Sequence, residues 1–314
     1  MNNTNQQQDE ATETGDLSSL FPESSYPYTR ERVEAIKDSR RKLDDRLFFD
    51  LLATDVASIS DAQDLYPPSD QRAIEDLAYR IANAPVDTLK KHCMLYYLQL
   101  DYNADNAKRY SESVMLPDAY RRYIDGVYAL DKFEFTIALK HLTYPAVRLT
   151  YTAKILDTFL RYANEGARVV RIYVACTNAV LETREAMITY IHALSRLSLL
   201  SALKFVRSAP EEVVDEFLIM LVDFALAASP SNAFQIANLP LTLQEEHVVL
   251  AHLKANPDYA NIRIVRELHR GHIAGAQAAA ASRGLQHKIS TGTRRKVQWA
   301  QLATALRVDP ANIL

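Results

Sequence analysis

The sequence predicts an all-α protein, an irregular α-solenoid of about a dozen short antiparallel helices. Three observations predict it. The 314 residues include only seven glycines, no two closer than four positions, so the positive-φ turns that hairpins need are scarce. Pro, Asp, Asn, Ser or Thr interrupts the chain at short intervals, between stretches whose apolar residues recur at helical spacing. No segment reads as a convincing strand, and no fixed period marks a TPR, ankyrin or HEAT array.

In order along the chain, residues 1–25 form an acidic tail expected to be structureless, with few apolar groups to bury. Thr29 reads as an N-cap, and Val33, Ile36, Leu43, Leu47, Leu51 and Leu52 place one stripe on a first helix from Arg30 to Ala53. Pro67-Pro68-Ser69 stops the chain before a helix from about Asp70 to Ala82. Pro85 and Asp87 open the next, to about Leu100, and Asn103 marks the turn into a helix ending near Ser113. Pro117-Asp118 starts another that runs to Leu130, and Asp131 reads as the cap of one reaching Leu142. Tyr144-Pro145 breaks the chain again. Helices follow at about 147–164, 167–180, 182–193, 197–206, 210–227, 230–237 and 243–255, each bounded by breaker or capping residues. After Asn256-Pro257 come a helix from Tyr259 to Leu268 and an alanine-rich one from Ala274 to Ser282. A polar, basic linker then leads to an amphipathic stretch from Arg294 to Arg307. The expected organisation is therefore a tail over 1–25, a helical domain over 26–257 and a basic extension over 258–314.

Net charge is −3 but uneven. Residues 1–29 carry five acids and no base, whereas residues 263–314 carry nine bases against Glu267 and Asp309. Such polarity suggests tails with different partners. The N-terminus is polar and acidic, unlike a secretory signal. The most apolar stretch, Val213 to Ala228, holds Asp215, Glu216 and Asp223, too many charges for a membrane span. The chain is expected in the nucleus or cytoplasm.

Chemistry is not visible. Dispersed glycines argue against P-loop and Rossmann phosphate cradles. Cys93 and Cys176 read as buried thiols of a reducing compartment, without CxxC or zinc spacing. His269 and His272 are three apart but lack a carboxylate in register for a metal. No GxSxG or HExxH motif is present. The reading is a binding protein and not an enzyme, with no catalytic, cofactor or metal residue assigned. Seventeen tyrosines, many between Tyr96 and Tyr151, serve either helix–helix packing or a protein-binding surface. In the extension, Trp299, Leu302 and Leu306 are apolar groups that nothing local buries, which marks a docking peptide. Arg294-Arg295-Lys296 is a nucleic-acid footprint, a nuclear localisation element or a solvated charge run. A nucleic-acid or nucleosome binder using this tail is the alternative function.

The segment from Leu95 to about Leu156 reads YYLQLDY, then SVMLPDAYRRYIDGVYALDKFEFTIALKHLTYPAV, then TYTAKILDTFL. It resembles the ELYS-like domain of nucleoporins. That family shows a helix ending Tyr-x-x-Leu-Asp, a Leu-Pro start, a Leu-Asp turn with an aromatic, and a helix ending before a Thr-x-Pro. Here Leu116-Pro117, Tyr128-Ala129-Leu130-Asp131 and Ala138 to Pro145 stand in those places. The resemblance implies a helical domain of the outer-ring Y-complex of the nuclear pore. It also implies roles in pore assembly and in protein and mRNA transport. Its implied partners lie on the short arm of that complex and include a β-propeller subunit. Animal members add a β-propeller and a long DNA-binding tail. This chain shows neither pattern and resembles the short fungal form, with a weaker chromatin contact expected from its basic tail.

Overall fold

The computed structural model describes residues 20–22, 26–147, 150–229 and 232–281. Among them the chain forms seventeen α-helices and no strand, so the class is all-α and solenoid-like. No helix among the described residues is long and apolar enough to cross a membrane. The chain divides into two compact units, Met1–Val180 and Leu181–Leu314.

The first unit holds α1 (Arg30–Lys42), α2 (Phe48–Leu51), α3 (Ala62–Leu65), α4 (Gln71–Ala82) and α5 (Thr88–Tyr102). It continues with α6 (Ala104–Ser113), α7 (Asp118–Asp131), α8 (Phe135–Leu142), α9 (Thr152–Tyr162) and α10 (Gly166–Thr177). Thr29, Asp70, Asp87 and Asn103 each accept the backbone N–H three residues on, as an N-cap must. α5 is central, with α4, α6 and α7 against it; α8 folds back on α7, and α10 lies on α8 and α9.

Two predicted helices are corrected here. The helix from Arg30 to Ala53 breaks after Lys42. Asp44 and Asp45 both have φ 57°, a left-handed pair that no right-handed helix can contain. The corner is clamped by Asp50, which accepts from both Arg40 nitrogens at 2.8 Å and from the Leu47 N–H at 2.8 Å. The predicted stripe is nonetheless real, since Leu43, Leu47, Leu51 and Leu52 are all buried. Asp131 does not cap the following helix either. It ends α7, Phe133 turns the chain at φ 60°, and α8 starts at Phe135.

The expected tail over 1–25 lies mostly outside the described residues. Within it, Phe21 is fully buried with its ring 5.7 Å from Tyr102. The side-chain amides of Gln99 and Gln71 donate to the carbonyls of Leu20 at 2.9 Å and Phe21 at 2.6 Å.

The second unit holds α11 (Arg184–Leu197), α12 (Leu199–Val206), α13 (Glu211–Ala228) and α14 (Asn232–Ala237). It ends with α15 (Leu243–Ala255), α16 (Ala260–His269) and α17 (Ile273–Ala281). α13 is its axis. Phe217, Leu218, Leu221, Val222 and Ala225 are fully buried against α11, α12, α14 and α15. Thr242 and Glu245 form a capping box at the start of α15. Packing in this unit continues past residue 257. Ile262 of α16 belongs to this core, and α17 packs on α16 through Ala276, Ala279 and Ala280.

Arg266 explains why. Its side chain is fully buried. It donates to both carboxylate oxygens of Glu246 and to the carbonyls of Ile236 at 2.7 Å and Ala237 at 3.2 Å. Those carbonyls end α14, where a helix leaves its last acceptors without intrahelical partners. Arg270 adds a second bond to Glu246 at 2.9 Å. Of the nine bases assigned to the basic extension, Arg266 is therefore an internal fastener, and the exposed Arg270 is tied to the same carboxylate from outside.

Candidate protein-interaction site

A buried charge needs partners, or its desolvation cost goes uncompensated. The first unit supplies them for three aspartates. Asp101, at the end of α5, accepts from the hydroxyls of Tyr28 at 2.7 Å, Tyr66 at 2.9 Å and Tyr128 at 3.1 Å. Arg32 of α1 completes this set at 2.6 Å and also donates to the Asp101 carbonyl at 2.5 Å. Asp131 accepts the N–H groups of Phe48 at 2.8 Å and Phe49 at 3.0 Å, and the Tyr97 hydroxyl at 2.8 Å. It thus caps α2, which begins 83 positions earlier. Burial pushes its pKa up to about 7, against three donors that pull it down. Asp50, with Arg40, is the third. Burial in this network holds Tyr28, Tyr66 and Tyr97 far above the usual phenol range. The carboxylates are closed to solvent, and their donors come from the chain's own residues. The arrangement bolts α1, α2, α5 and α7 together.

These bolts fix α7, and α7 fixes α8. Gly126 lets the two helices close, because a Cβ there would lie 2.5 Å from Leu142 Cγ. Phe133 fills the left-handed turn between them, where its ring meets Phe135 at 5.6 Å and Tyr162 at 5.2 Å. At the far end of α8, the Tyr144 ring lies 4.3 Å from the Arg122 guanidinium. Arg122 Nε also donates to Asp118 at 3.0 Å, and Arg121 bonds the other oxygen of the same carboxylate. Asp125 accepts from Tyr96 at 2.7 Å and stands 3.6 Å from His141 Nδ1, an ion-pair distance beyond hydrogen-bond reach. Burial raises the Asp125 pKa and lowers that of His141. Ile137, 47% exposed, and Lys140 complete the outward face.

The tyrosines divide accordingly. Tyr96, Tyr97, Tyr110 and Tyr123 are buried, and Tyr102, Tyr128 and Tyr151 are half-buried. Tyr120 and Tyr144 are each 38% exposed. Packing accounts for most of the cluster and leaves a small outward remainder. Of the cysteines, Cys93 is buried, with burial pushing its pKa up to about 12, but Cys176 is exposed, which corrects the expected pair of buried thiols. His272 Nδ1 stands 3.2 Å from Glu267, and the His269 ring meets Phe234 at 6.2 Å. Among the described residues no three His, Cys, Asp or Glu side chains gather as metal ligands. Trp299, Leu302, Leu306, Arg294, Arg295 and Lys296 lie outside the described residues.

Residues 46–256 match the family described as ELYS, nuclear pore complex assembly. The chain belongs to the ELYS family. A relative, "Uncharacterized protein ely5" of Schizosaccharomyces pombe (strain 972), is 30% identical over 244 residues, 76% of this chain and 80% of the relative. ELYS is a family of structural nucleoporins, and membership assigns the chain to nuclear pore complex assembly. The ELYS match takes in Asp50, Asp101, Asp131 and the Arg122–Tyr144 stack, and ends before Arg266. Two aspartates of the ELYS-like sequence pattern, Asp101 and Asp131, are thus the buried hubs. The sequence alone missed this, since nothing in the pattern says which distant N–H or hydroxyl each one meets.

Proposed function

We propose that the chain is a structural nucleoporin of the outer-ring Y-complex, located at the pore in the nuclear envelope. It acts in pore assembly, and in protein and mRNA transport, by binding other nucleoporins on the short arm, a β-propeller subunit among them. The ELYS match over residues 46–256 carries this reading. The internal polar network supports it, because the carboxylates of the first unit's core serve packing and offer nothing to turnover. The extension is a second contact, with Trp299, Leu302 and Leu306 as its anchors.

The test is titration of purified Y-complex with the whole chain and with a chain lacking residues 283–314. The reading expects binding by the whole chain and a weaker affinity for the truncated one. Equal affinities would remove the docking role of the extension. Salt-sensitive binding of residues 283–314 to duplex DNA near physiological salt would favour a nucleic-acid role for this segment. Arg266 contributes nothing to such a role, being fully buried on Glu246.

A further inference from the structure

The outward face of α8 and the start of α7 gathers exposed apolar and cationic groups. Ile137 is 47% exposed and Tyr144 38% exposed. They stand seven positions apart on one side of α8 and the turn that follows it, about 10 Å along the axis. Between them Lys140 is exposed and makes no ion pair among the described residues. The Arg122 guanidinium lies over the Tyr144 ring at 4.3 Å, a cation–π contact made without any partner. Tyr and Arg are the residue types that dominate binding hot spots.

The charges decide the occupant. Asp118 is shared by Arg121 and Arg122, one carboxylate against two guanidiniums. Asp125 faces inward, engaged by Tyr96 and His141. With Lys140 added, Arg121, Arg122 and Lys140 stand against Asp118 and the half-buried Asp125, an excess of one positive charge. Glu134 lies at the opposite end of α8, beyond Ile137.

We propose that this face, built from Arg122, Ile137, Lys140 and Tyr144, docks an acidic amphipathic helix of another nucleoporin. Two apolar points two turns apart match residues i and i+7 of a helix laid along α8. Asp or Glu beside those anchors answers Lys140, Arg121 and Arg122. The Arg122–Tyr144 contact already exists before binding, which reduces the freedom these two side chains lose. The inference rests on the nucleoporin reading but names a surface separate from residues 283–314.

The experiment measures the affinity of the full chain for purified Y-complex, comparing the unmodified protein with Ile137→Asp, Tyr144→Ala and Lys140→Glu. Each position is exposed, and circular dichroism confirms that each variant is folded. The proposal expects Ile137→Asp and Tyr144→Ala each to weaken binding by about tenfold or more. It expects Lys140→Glu to weaken binding several-fold and to reduce its salt dependence. Folded variants that bind within twofold of the unmodified chain would overturn the surface while leaving the nucleoporin reading intact. Tighter binding by Lys140→Glu would overturn the acidic partner. Duplex DNA competing for this face would overturn a protein helix as occupant. No binding by the unmodified chain would remove the nucleoporin reading and this inference together.

Discussion

Replacing Arg266 with methionine tests whether α16 is part of the folded body or the start of a tail. Methionine keeps much of the volume and removes every donor. The change deletes both bonds to Glu246 and those to the carbonyls of Ile236 and Ala237. Breaking a buried pair by removing one partner costs about 3–5 kcal/mol. Here Glu246 keeps Arg270 at 2.9 Å, which moderates that cost. The two carbonyls at the end of α14 add about 1 kcal/mol each if no water replaces Arg266. With the retained Arg270 bond offsetting the carbonyl cost, a net loss of about 3–5 kcal/mol follows, a large share of an ordinary domain's stability. With two compact units the global transition need not be two-state, so the assay is native-state hydrogen exchange on the full chain. Protection should fall over residues 232–239 and 260–269 and remain in α1 to α10. A loss below about 1 kcal/mol at those amides would refute the reasoning. Truncation supplies the companion test. Ending the chain at 281 should leave the second unit's protection unchanged, whereas ending it at 257 removes Arg266 and Ile262 and should lower it.

Three further outcomes follow from the first unit. The folded pKa of Asp131 is raised to about 7, so its contribution to stability is full below about pH 4 and is lost as pH rises through 7. Asp131→Asn should remove a slope of up to about 1.4 kcal/mol per pH unit in that window, read as the difference between the two proteins' pH profiles of native-state hydrogen-exchange stability in the first unit; parallel profiles would contradict it. Gly126→Ala should destabilise by about 1–3 kcal/mol despite alanine's better helix propensity, because the new methyl meets the fully buried Leu142; a higher melting temperature would count against the close approach. Phe133→Gly relieves the left-handed turn by about 1 kcal/mol but loses two ring contacts worth about 0.5–1.5 kcal/mol each plus their buried area. Net destabilisation of about 1–2 kcal/mol is expected from thermal melting, and a stabilised variant would show that the rings carry no load.

What was legible in the sequence is local. Thr29 as a cap and the 243–255 helix depend on residues within one turn of each other, and both are in place. What was not legible depends on partners far along the chain. Asp131 looks like a cap for the helix after it, yet the N–H groups it serves belong to Phe48 and Phe49. Arg266 looks like one charge in a basic run, yet it is buried on Glu246. The stripe from Val33 to Leu52 was read correctly as apolar but wrongly as continuous, because two adjacent left-handed residues leave no trace in periodicity. Tyr144 stands in the resemblance as the residue before Pro145, but only the structure pairs it with Arg122. Family membership was legible, because the ELYS-like pattern consists of the packing and capping residues themselves.

The most direct measurement of the central claim is size-exclusion chromatography of the full chain mixed with purified Y-complex at physiological salt. The nucleoporin account predicts co-elution, unchanged by nuclease treatment. Separate elution, or co-elution abolished by nuclease, would contradict it.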